Sequence, residues 1–510
     1  MKYMENSLVA RGFCDAIHYI HRGLLRMSKR THIWLITTDQ MRADALGIEN
    51  ASVLTPELDQ LASEGTLFTG AYCASPVCTP SRSSIFTGRY PHVHGAWNIG
   101  TTLREDELTL CDHLKKADYE TIGIGKMHFR PQMKGNFSQE YEEPAYRDRG
   151  RASDGTYYGF DEHHITEDNC IGEYMEWLRQ RNPEVAERFS KDHYRASNAQ
   201  NDVWESELPP ELHQTYWIAE RSIDAILAHK TEQPLFLWTS FVDPHHPFDP
   251  PKAYADMYAD TDIPSPAREA DDVHLRPPHL LRQSQGGYWP GGGEEHSLDE
   301  AHMKRLTRNY YAMITFIDAQ IGRIIKAWRQ KEMYDDVVIL FTSDHGELLG
   351  DHGLIYKGPW FYEGLTRIPM IVRGPGITSG QRVPALMEHV DIVPTLLAAA
   401  GLKTPYGIQG VSQMEVLAGR ESHVRNSALT AYIAHDRGIN AKCLRTTRYK
   451  LVIFAGETYG ELYDLKEDPH ENSNRFEDPD YSDIRHSMVE LLVHRMIQDQ
   501  DPLPERRSSW

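Results

Sequence analysis

The chain has 510 residues, 40% hydrophobic and 25% charged, a globular balance far from disordered or fibrous compositions. Its formal net charge of −20 argues against nucleic acid as a partner, because phosphate binding needs an extended basic footprint; a small anionic substrate remains compatible, since a pocket can gather a few cations inside an acidic molecule. Six cysteines (Cys14, Cys73, Cys78, Cys111, Cys170 and Cys443) without a CxxC pair exclude a disulfide scaffold and a zinc-finger site.

No apolar run is long enough for a transmembrane helix, so no membrane partner is expected. The first 26 residues contain AIHYIHRGLL, which His and Arg interrupt and which lacks the apolar core of a signal peptide. Residues 1–30 therefore read as an extension, with Met27 as an alternative start, and a cytoplasmic location is expected. HIWLITT (32–38) is a β-rich apolar run. TPELDQLASEG (55–65) opens at Thr-Pro and stops at Gly, as helices do. LFTGAY reads as a strand, 81–89 as a helix after a proline, ELTLCDHLKKAD (107–118) as a helix and TIGIG (121–125) as a strand end. WIAERSIDAILAH (217–229) is helical, PLFLWTS (234–240) a buried strand, and 298–329 a long helix. DVVILFTSDHG (336–346) is strand then loop, IPMIV (368–372) a strand, and HVDIVPTLLAAAG (389–401) a helix with a Gly stop.

Apolar strands alternating with helices predict an α/β fold with a large mixed, mostly parallel sheet. After about residue 405 the pattern changes to short strands, LTAYIAH, AKCLRTTRYKLVIFAG and ELYDL, which predict a smaller C-terminal antiparallel sheet. The expected organisation is a catalytic domain over 31–405, with polar insertions near 130–215 and 248–297, followed by an α+β subdomain over 406–510. The turn QGGYWPGGG (285–293), with Tyr288 and Trp289, offers aromatic residues to a carbohydrate-sized cleft.

Polar groups recur just after predicted strands: Asp39, Lys126, His245 and Asp344. Loops beyond the carboxyl ends of strands in an open sheet converge on one crevice, so four distant segments can share a pocket. Asp39, Asp344 and His345 form an oxygen-rich set suited to Ca²⁺ or Mg²⁺, and Gln40 adds a carbonyl oxygen. By spacing alone, helix capping explains such aspartates equally well. In CASPVCTPSRSSIFTGR (73–89), Cys78 sits between strand and helix, Ser81 can cap the helix, and Arg82 can hold an oxyanion. A thiol there is expected to have a lowered pKa; the plain alternative is a buried cysteine at a packed turn, the reading given to Cys73. In GKMHFR (125–130), Lys126 and His128 share one side if the segment is extended. In DPHHPFDPP (243–251), prolines fix His245 as a candidate general acid, with Asp243 or Asp249 orienting the ring and His246 packing. DHGELLGDHGLIYKGPWFYEGLTRIP (344–369) gathers His352, Lys357 and Arg367 near the proposed metal, which suggests an anion site, with His352 and Arg367 as substrate-binding candidates. Glu347 and Asp351 read as loop-stabilising partners, and Glu363 and Arg367 are spaced to pair on a helix.

These segments resemble the type I sulfatases of the alkaline phosphatase superfamily. Cys78-Thr79-Pro80-Ser81-Arg82, continuing SSIFTGR, resembles their C-x-P-S-R-x-x-x-x-T-G-R signature. Gly125-Lys126-Met127-His128, Pro244-His245-His246-Pro247, Asp344-His345-Gly346 with Lys357 and Arg367-Ile368-Pro369, and ELYDLKEDPHENSN (461–474) resemble further blocks, over roughly 31–475. The resemblance implies that a separate maturation enzyme oxidises Cys78 to formylglycine (3-oxoalanine). It implies one divalent cation, Ca²⁺ favoured over Mg²⁺ or Mn²⁺, on Asp39, Gln40, Asp344, His345 and the matured Cys78. By the same likeness Arg82 holds the formylglycine, Lys126 and Lys357 bind the sulfate and leaving oxygens, His245 assists departure, and His128 is the base for sulfate expulsion. Gln40 and His345 depart from the Asp and Asn of many members, which leaves the coordination number open. The implied activity is hydrolysis of a sulfate monoester, from a sulfated carbohydrate or an aryl or alkyl sulfate. The sequence also resembles choline sulfatase and phosphonate monoester hydrolase relatives, and a phosphonate or phosphodiester hydrolase is the alternative.

Overall fold

The computed structural model describes residues 31–131, 157–188, 203–230, 233–267, 277 and 300–500. The extension 1–30 with Cys14, and the 285–293 turn with Tyr288 and Trp289, lie outside the described residues.

Among the described residues the larger sheet has eight strands: β1 (His32–Thr38), β2 (Thr66–Tyr72), β3 (Glu120–Gly125), β4 (Glu162–Ile165), β5 (Leu235–Ser240), β6 (Val337–Ser343), β7 (Met370–Arg373) and β8 (Gln381–Glu388). Their order is β4-β3-β5-β1-β6-β7-β2-β8, and β7 alone runs against the rest. The central strands are apolar on both sides because both faces are covered. In β1, Trp34 and Ile36 enter one core layer, while Ile33 and Leu35 enter the other. The same alternation runs through β5 and β6, as a two-residue side-chain period requires.

On the first face lie α1 (Pro56–Glu64), α4 (Gln214–Ala228) and the long α5 (Glu300–Gln330), contributing Leu58, Trp217 and Tyr310 among others. On the second lie α2 (Cys78–Thr87), α3 (Leu110–Lys115) and α6 (Ile392–Ala399), contributing Phe86, Leu114 and Leu396. The buried indoles are satisfied across strands: Trp34 Nε1 donates to Thr239 Oγ1 at 2.9 Å, and Trp238 Nε1 to Thr37 Oγ1 at 2.8 Å. A four-stranded antiparallel sheet follows, β9 (Ala428–Ala434), β10 (Ile439–Arg445), β11 (Tyr449–Phe454) and β12 (Gly460–Asp464), in order β12-β11-β10-β9. It docks through Ala431 N to Ala74 O and Thr430 Oγ1 to Cys73 O. Helix α7 (Ser482–Gln498) covers it through Met488 and Leu492. The fold class is that expected from the alternation of strands and helices, and no described helix is long and apolar enough to cross a membrane.

Some elements differ from expectation. Helix α2 begins at Cys78 rather than at residue 81, because Pro80 falls in the first turn, where no backbone donor is needed. Ser81 does not cap it; its hydroxyl donates to Ser75 O and lies 3.1 Å from His389 Nδ1. Helix α3 is shorter than 107–118, starting from a Thr109–Asp112 capping box. Strands β4 and β8 had no sequence signal. Both are edge strands, where one side faces away from the sheet and polar residues or Pro384 are tolerated.

Candidate active site

The residues singled out after strands converge at one edge. β3, β5, β1 and β6 are parallel neighbours, so Lys126, the 243–251 loop, Asp39 and Asp344 leave the sheet side by side. Backbone bonds tie the exits together: Asp39 N donates to Asp243 O, Asp344 N to Thr38 O and Lys126 N to Ser240 O. Gly125 makes the last approach feasible. At φ +102° it lies where a Cβ would come within 1.8 Å of Ser240 O. β2 runs parallel to β6 through the shared β7, so α2 brings Cys78 to the same edge.

Asp39, Cys78, Asp344 and His345 are buried, and one ligand atom from each lies within 4.8 Å of all the others. His345 Nε2 is 3.3 Å from Cys78 Sγ and 3.8 Å from Asp39 Oδ1 and Asp344 Oδ1. Its Nδ1 donates to Gly346 O at 2.9 Å, which leaves the Nε2 lone pair facing the cluster, as metal ligation requires. Gln40 donates its backbone N–H to Asp344 Oδ1 and its side-chain amide to Glu347, while its buried Oε1 has no hydrogen-bond partner. An orphaned carbonyl oxygen on the residue that follows Asp39 fits a hard divalent cation. The predicted loop-stabilising role of Glu347 matches its position: it accepts from Gln40, Leu349 N and Tyr356 N.

Three cations offset the carboxylates. Arg82, fully buried, donates to Asp344 Oδ2 at 2.8 Å, Asp39 Oδ2 at 3.2 Å, Lys126 O at 2.8 Å and Ser240 Oγ at 2.9 Å. Lys126 Nζ is 2.7 Å from Asp39 Oδ2 and also contacts Asp168. Lys357 Nζ is 2.8 Å from Cys78 Sγ. Burial works to protonate Asp39, but Lys126, Lys357, His245 and Arg82 hold its carboxyl well below the usual range. Cys78 goes the other way. Burial and Asp39 push its thiol up to about 12 against the pull of Lys357 and Lys126, which corrects the expectation of a lowered pKa. The unmodified cysteine is therefore a poor nucleophile.

His245 Nδ1 donates to His246 O at 2.6 Å, and the two rings stack at 4.0 Å. Burial holds the His245 imidazole well below its ordinary value, with Asp168 opposing and Lys357 assisting. Burial and Lys126 push His128 down to about 3, leaving it neutral. The 125–130 segment is not extended: β3 ends at Gly125 and His128 has φ +56°, so a turn rather than strand alternation sets the two side chains. Asp243 accepts from Thr215 Oγ1, and the Asp168 carboxylate stands 3.9 Å from His245 Nδ1. Asp168 and Glu167 gave no sequence signal, because they leave the unpredicted β4. His352 and Arg367 line a cavity of about 400 Å³ with Arg42, Asp44 and Tyr311, and its walls include none of the metal-cluster residues, Lys126 or Lys357. His352 stacks on Tyr362 at 3.7 Å, and Arg367 lies 3.6 Å from Glu363 as spaced.

A buried Asp–Cys–Asp–His cluster at the carboxyl edge of such a sheet defines a formylglycine-type sulfatase site on an alkaline phosphatase-like fold. The chain matches the Sulfatase family over residues 31–402, and residues 350–498 match the C-terminal family of N-sulphoglucosamine sulphohydrolase. It belongs to the sulfatase family. It is 30% identical over 499 residues to an arylsulfatase of Clostridium perfringens, covering 92% of this chain and 94% of that one. It is 27% identical to a choline-sulfatase of Rhizobium meliloti, covering 88% and 83%. The phosphonate monoester hydrolase of Agrobacterium radiobacter superposes with a TM-score of 0.78 at 27% identity, over 92% of this chain and 96% of that one.

Proposed function

We propose that this enzyme hydrolyses a sulfate monoester of a carbohydrate, aryl or alkyl alcohol, in the cytoplasm, after a maturation enzyme converts Cys78 to formylglycine. The observation that carries the reading is the position of Cys78 Sγ, inside a buried ligand cluster and against the Lys357 ammonium. Hydrated formylglycine supplies two hydroxyls on one carbon, one to attack sulfur and one to expel sulfate afterwards. A divalent cation, Ca²⁺ in this reading, would be held by Asp39, Gln40, Asp344, His345 and the matured residue 78, where it supplies Lewis-acid polarisation.

The chain's own groups do the rest. Arg82 fixes the two aspartates by one bond each and is itself held by bonds to Lys126 O and Ser240 Oγ, so the cluster does not reorganise as charge develops. Lys126 and Lys357 flank the position of the sulfuryl and leaving oxygens and offset their charge. His245 acts at the ester oxygen as the imidazolium, protonated at Nε2 while Nδ1–H stays on His246 O; burial disfavours that form, and Asp168 and Asp39 favour it. His128, neutral and buried, takes the proton of the second hydroxyl.

The experiment is turnover of 4-nitrophenyl sulfate by protein expressed with and without a formylglycine-generating enzyme. Activity only in the matured sample is expected; equal activity in both would refute the reading. A second reading, a phosphonate or phosphodiester hydrolase, is favoured by one observation: the Asp39–Gln40 pair and His345 sit on a fold superposing on a phosphonate monoester hydrolase. The ratio of turnover on 4-nitrophenyl sulfate to that on a phosphodiester analogue separates the two.

A further inference from the structure

Asp168 reaches the site from β4, a strand outside every motif that carries the family likeness. β4 lies parallel to β3 with Gly125 opposite Ile165, so the chain leaving β4 emerges beside Lys126 at the same sheet edge. Thr166 N donates to Gly125 O at 3.2 Å and fixes that exit.

The turn that follows is braced. Glu167 N donates to Ile171 O at 2.8 Å, and the Gln214 side-chain amide donates to Thr166 Oγ1 at 2.7 Å and to Glu167 O at 3.0 Å. Gly172 closes the loop at φ +111°, where a Cβ would fall 2.5 Å from Ile165 O. The Glu167 carboxylate accepts the backbone N–H groups of Met127 and His128 at 3.3 and 3.2 Å, which shapes the turn carrying Lys126 and His128. One hydrogen-bonded loop thus sets the motif backbone through Glu167 and meets its lysine through Asp168.

The Asp168 carboxylate contacts Lys126 Nζ and stands 3.9 Å from His245 Nδ1. Lys126 is bridged between Asp168 and Asp39 and so has a fixed direction. We infer that Asp168 is a positioning residue, which holds the Lys126 ammonium and the His245 ring together on the leaving-group side of the site. This rests on the sulfate-ester reading. As the S–O bond breaks, its electron pair stays with the ester oxygen, which takes a proton from His245 while Lys126 offsets the charge not yet neutralised. Asp168 touches neither sulfur nor oxygen; it sets where the two groups stand.

The experiment compares matured wild type, Asp168→Asn and Asp168→Glu on 4-nitrophenyl sulfate and on a primary alkyl sulfate, whose leaving group is poor. Asp168→Asn keeps the shape and removes the charge. It should lose about tenfold or more in kcat on the alkyl sulfate and less than about threefold on the nitrophenyl ester, because help to the leaving oxygen matters only where departure is difficult. Asp168→Glu, which keeps the carboxylate, should recover part of the alkyl loss. In a His245→Ala background, Asp168→Asn should add less than about threefold on the alkyl sulfate, as for groups acting as one unit. Equal losses on both substrates, full additivity with His245→Ala, or no recovery in Asp168→Glu would overturn the inference while leaving the hydrolase reading intact. A matured wild type inactive on both sulfates would overturn that reading and this inference with it.

Discussion

Lys357 Nζ lies 2.8 Å from Cys78 Sγ, although the two residues stand 279 positions apart in the chain. It is also 3.4 Å from His345 Nε2 and 3.9 Å from Asp39 Oδ1, and it reaches the cluster from the loop after β6, whereas Lys126 comes from the end of β3. Lys357→Ala removes a charged contact placed where negative charge develops. It should lower kcat/KM of the matured enzyme by roughly 10²-fold, the scale of one lost oxyanion donor. A loss under about threefold would show that the lysine is a bystander.

Arg82 is a stability element as well as part of the site. Its guanidinium is fully buried and makes four bonds to Asp39, Asp344, Lys126 O and Ser240. Arg82→Ala leaves two buried carboxylates without their partner and should cost about 3–5 kcal/mol in urea denaturation. Arg82→Lys should recover only part of that, because a point charge cannot reproduce a planar fork. A cost below about 1 kcal/mol for the alanine variant would contradict this account of the cluster.

Cation binding should be visible without turnover. Asp39, Asp344 and His345 are all fully buried, so a divalent ion that binds them binds the folded chain alone. After EDTA treatment, adding back Ca²⁺ at about 100 times its Kd should stabilise the protein by about 2.7 kcal/mol and raise Tm accordingly. Asp344→Ala should abolish the shift. No change in Tm with Ca²⁺, Mg²⁺ or Mn²⁺ at millimolar concentration would rule out a cation site here.

The C-terminal sheet carries a pH dependence separate from catalysis. Burial, with Glu471 nearby, pushes the Glu461 carboxyl up to about 8, against the Tyr463 hydroxyl and Lys450. Its folded pKa lies above its unfolded value, so the folded state binds the extra proton between the two. Stability from this group is therefore lost as pH rises from about 4.5 to about 8. Glu461→Gln should flatten the decline of Tm over that window and be more stable than wild type at pH 8. A parallel decline in both proteins would show that Glu461 does not titrate there.

The sequence was most legible where one physical signal dominated. β1, β5 and β6 are buried on both faces and read as continuous apolar runs, and the polar residues after them, Asp39, His245 and Asp344, converge as open-sheet geometry requires. Edge strands β4 and β8 lack that signal, and with β4 went Glu167 and Asp168, which brace and face Lys126. The Cys78 thiol was misjudged for a related reason. A helix start and an arginine lower a thiol's pKa in water-accessible settings, but Arg82 is committed to Asp39 and Asp344, and burial beside Asp39 prevails. His352 and Arg367 share a loop region with Lys357 in sequence and line a cavity with Arg42, Asp44 and Tyr311.

The mass of the tryptic peptide carrying Cys78, measured beside sulfate release from the same preparation, bears most directly on the whole account. Coexpression with a formylglycine-generating enzyme should make the peptide about 18 Da lighter, and activity should rise in proportion to the converted fraction. An unconverted sample, fully reduced at Cys78 and as active as the converted one, would contradict it.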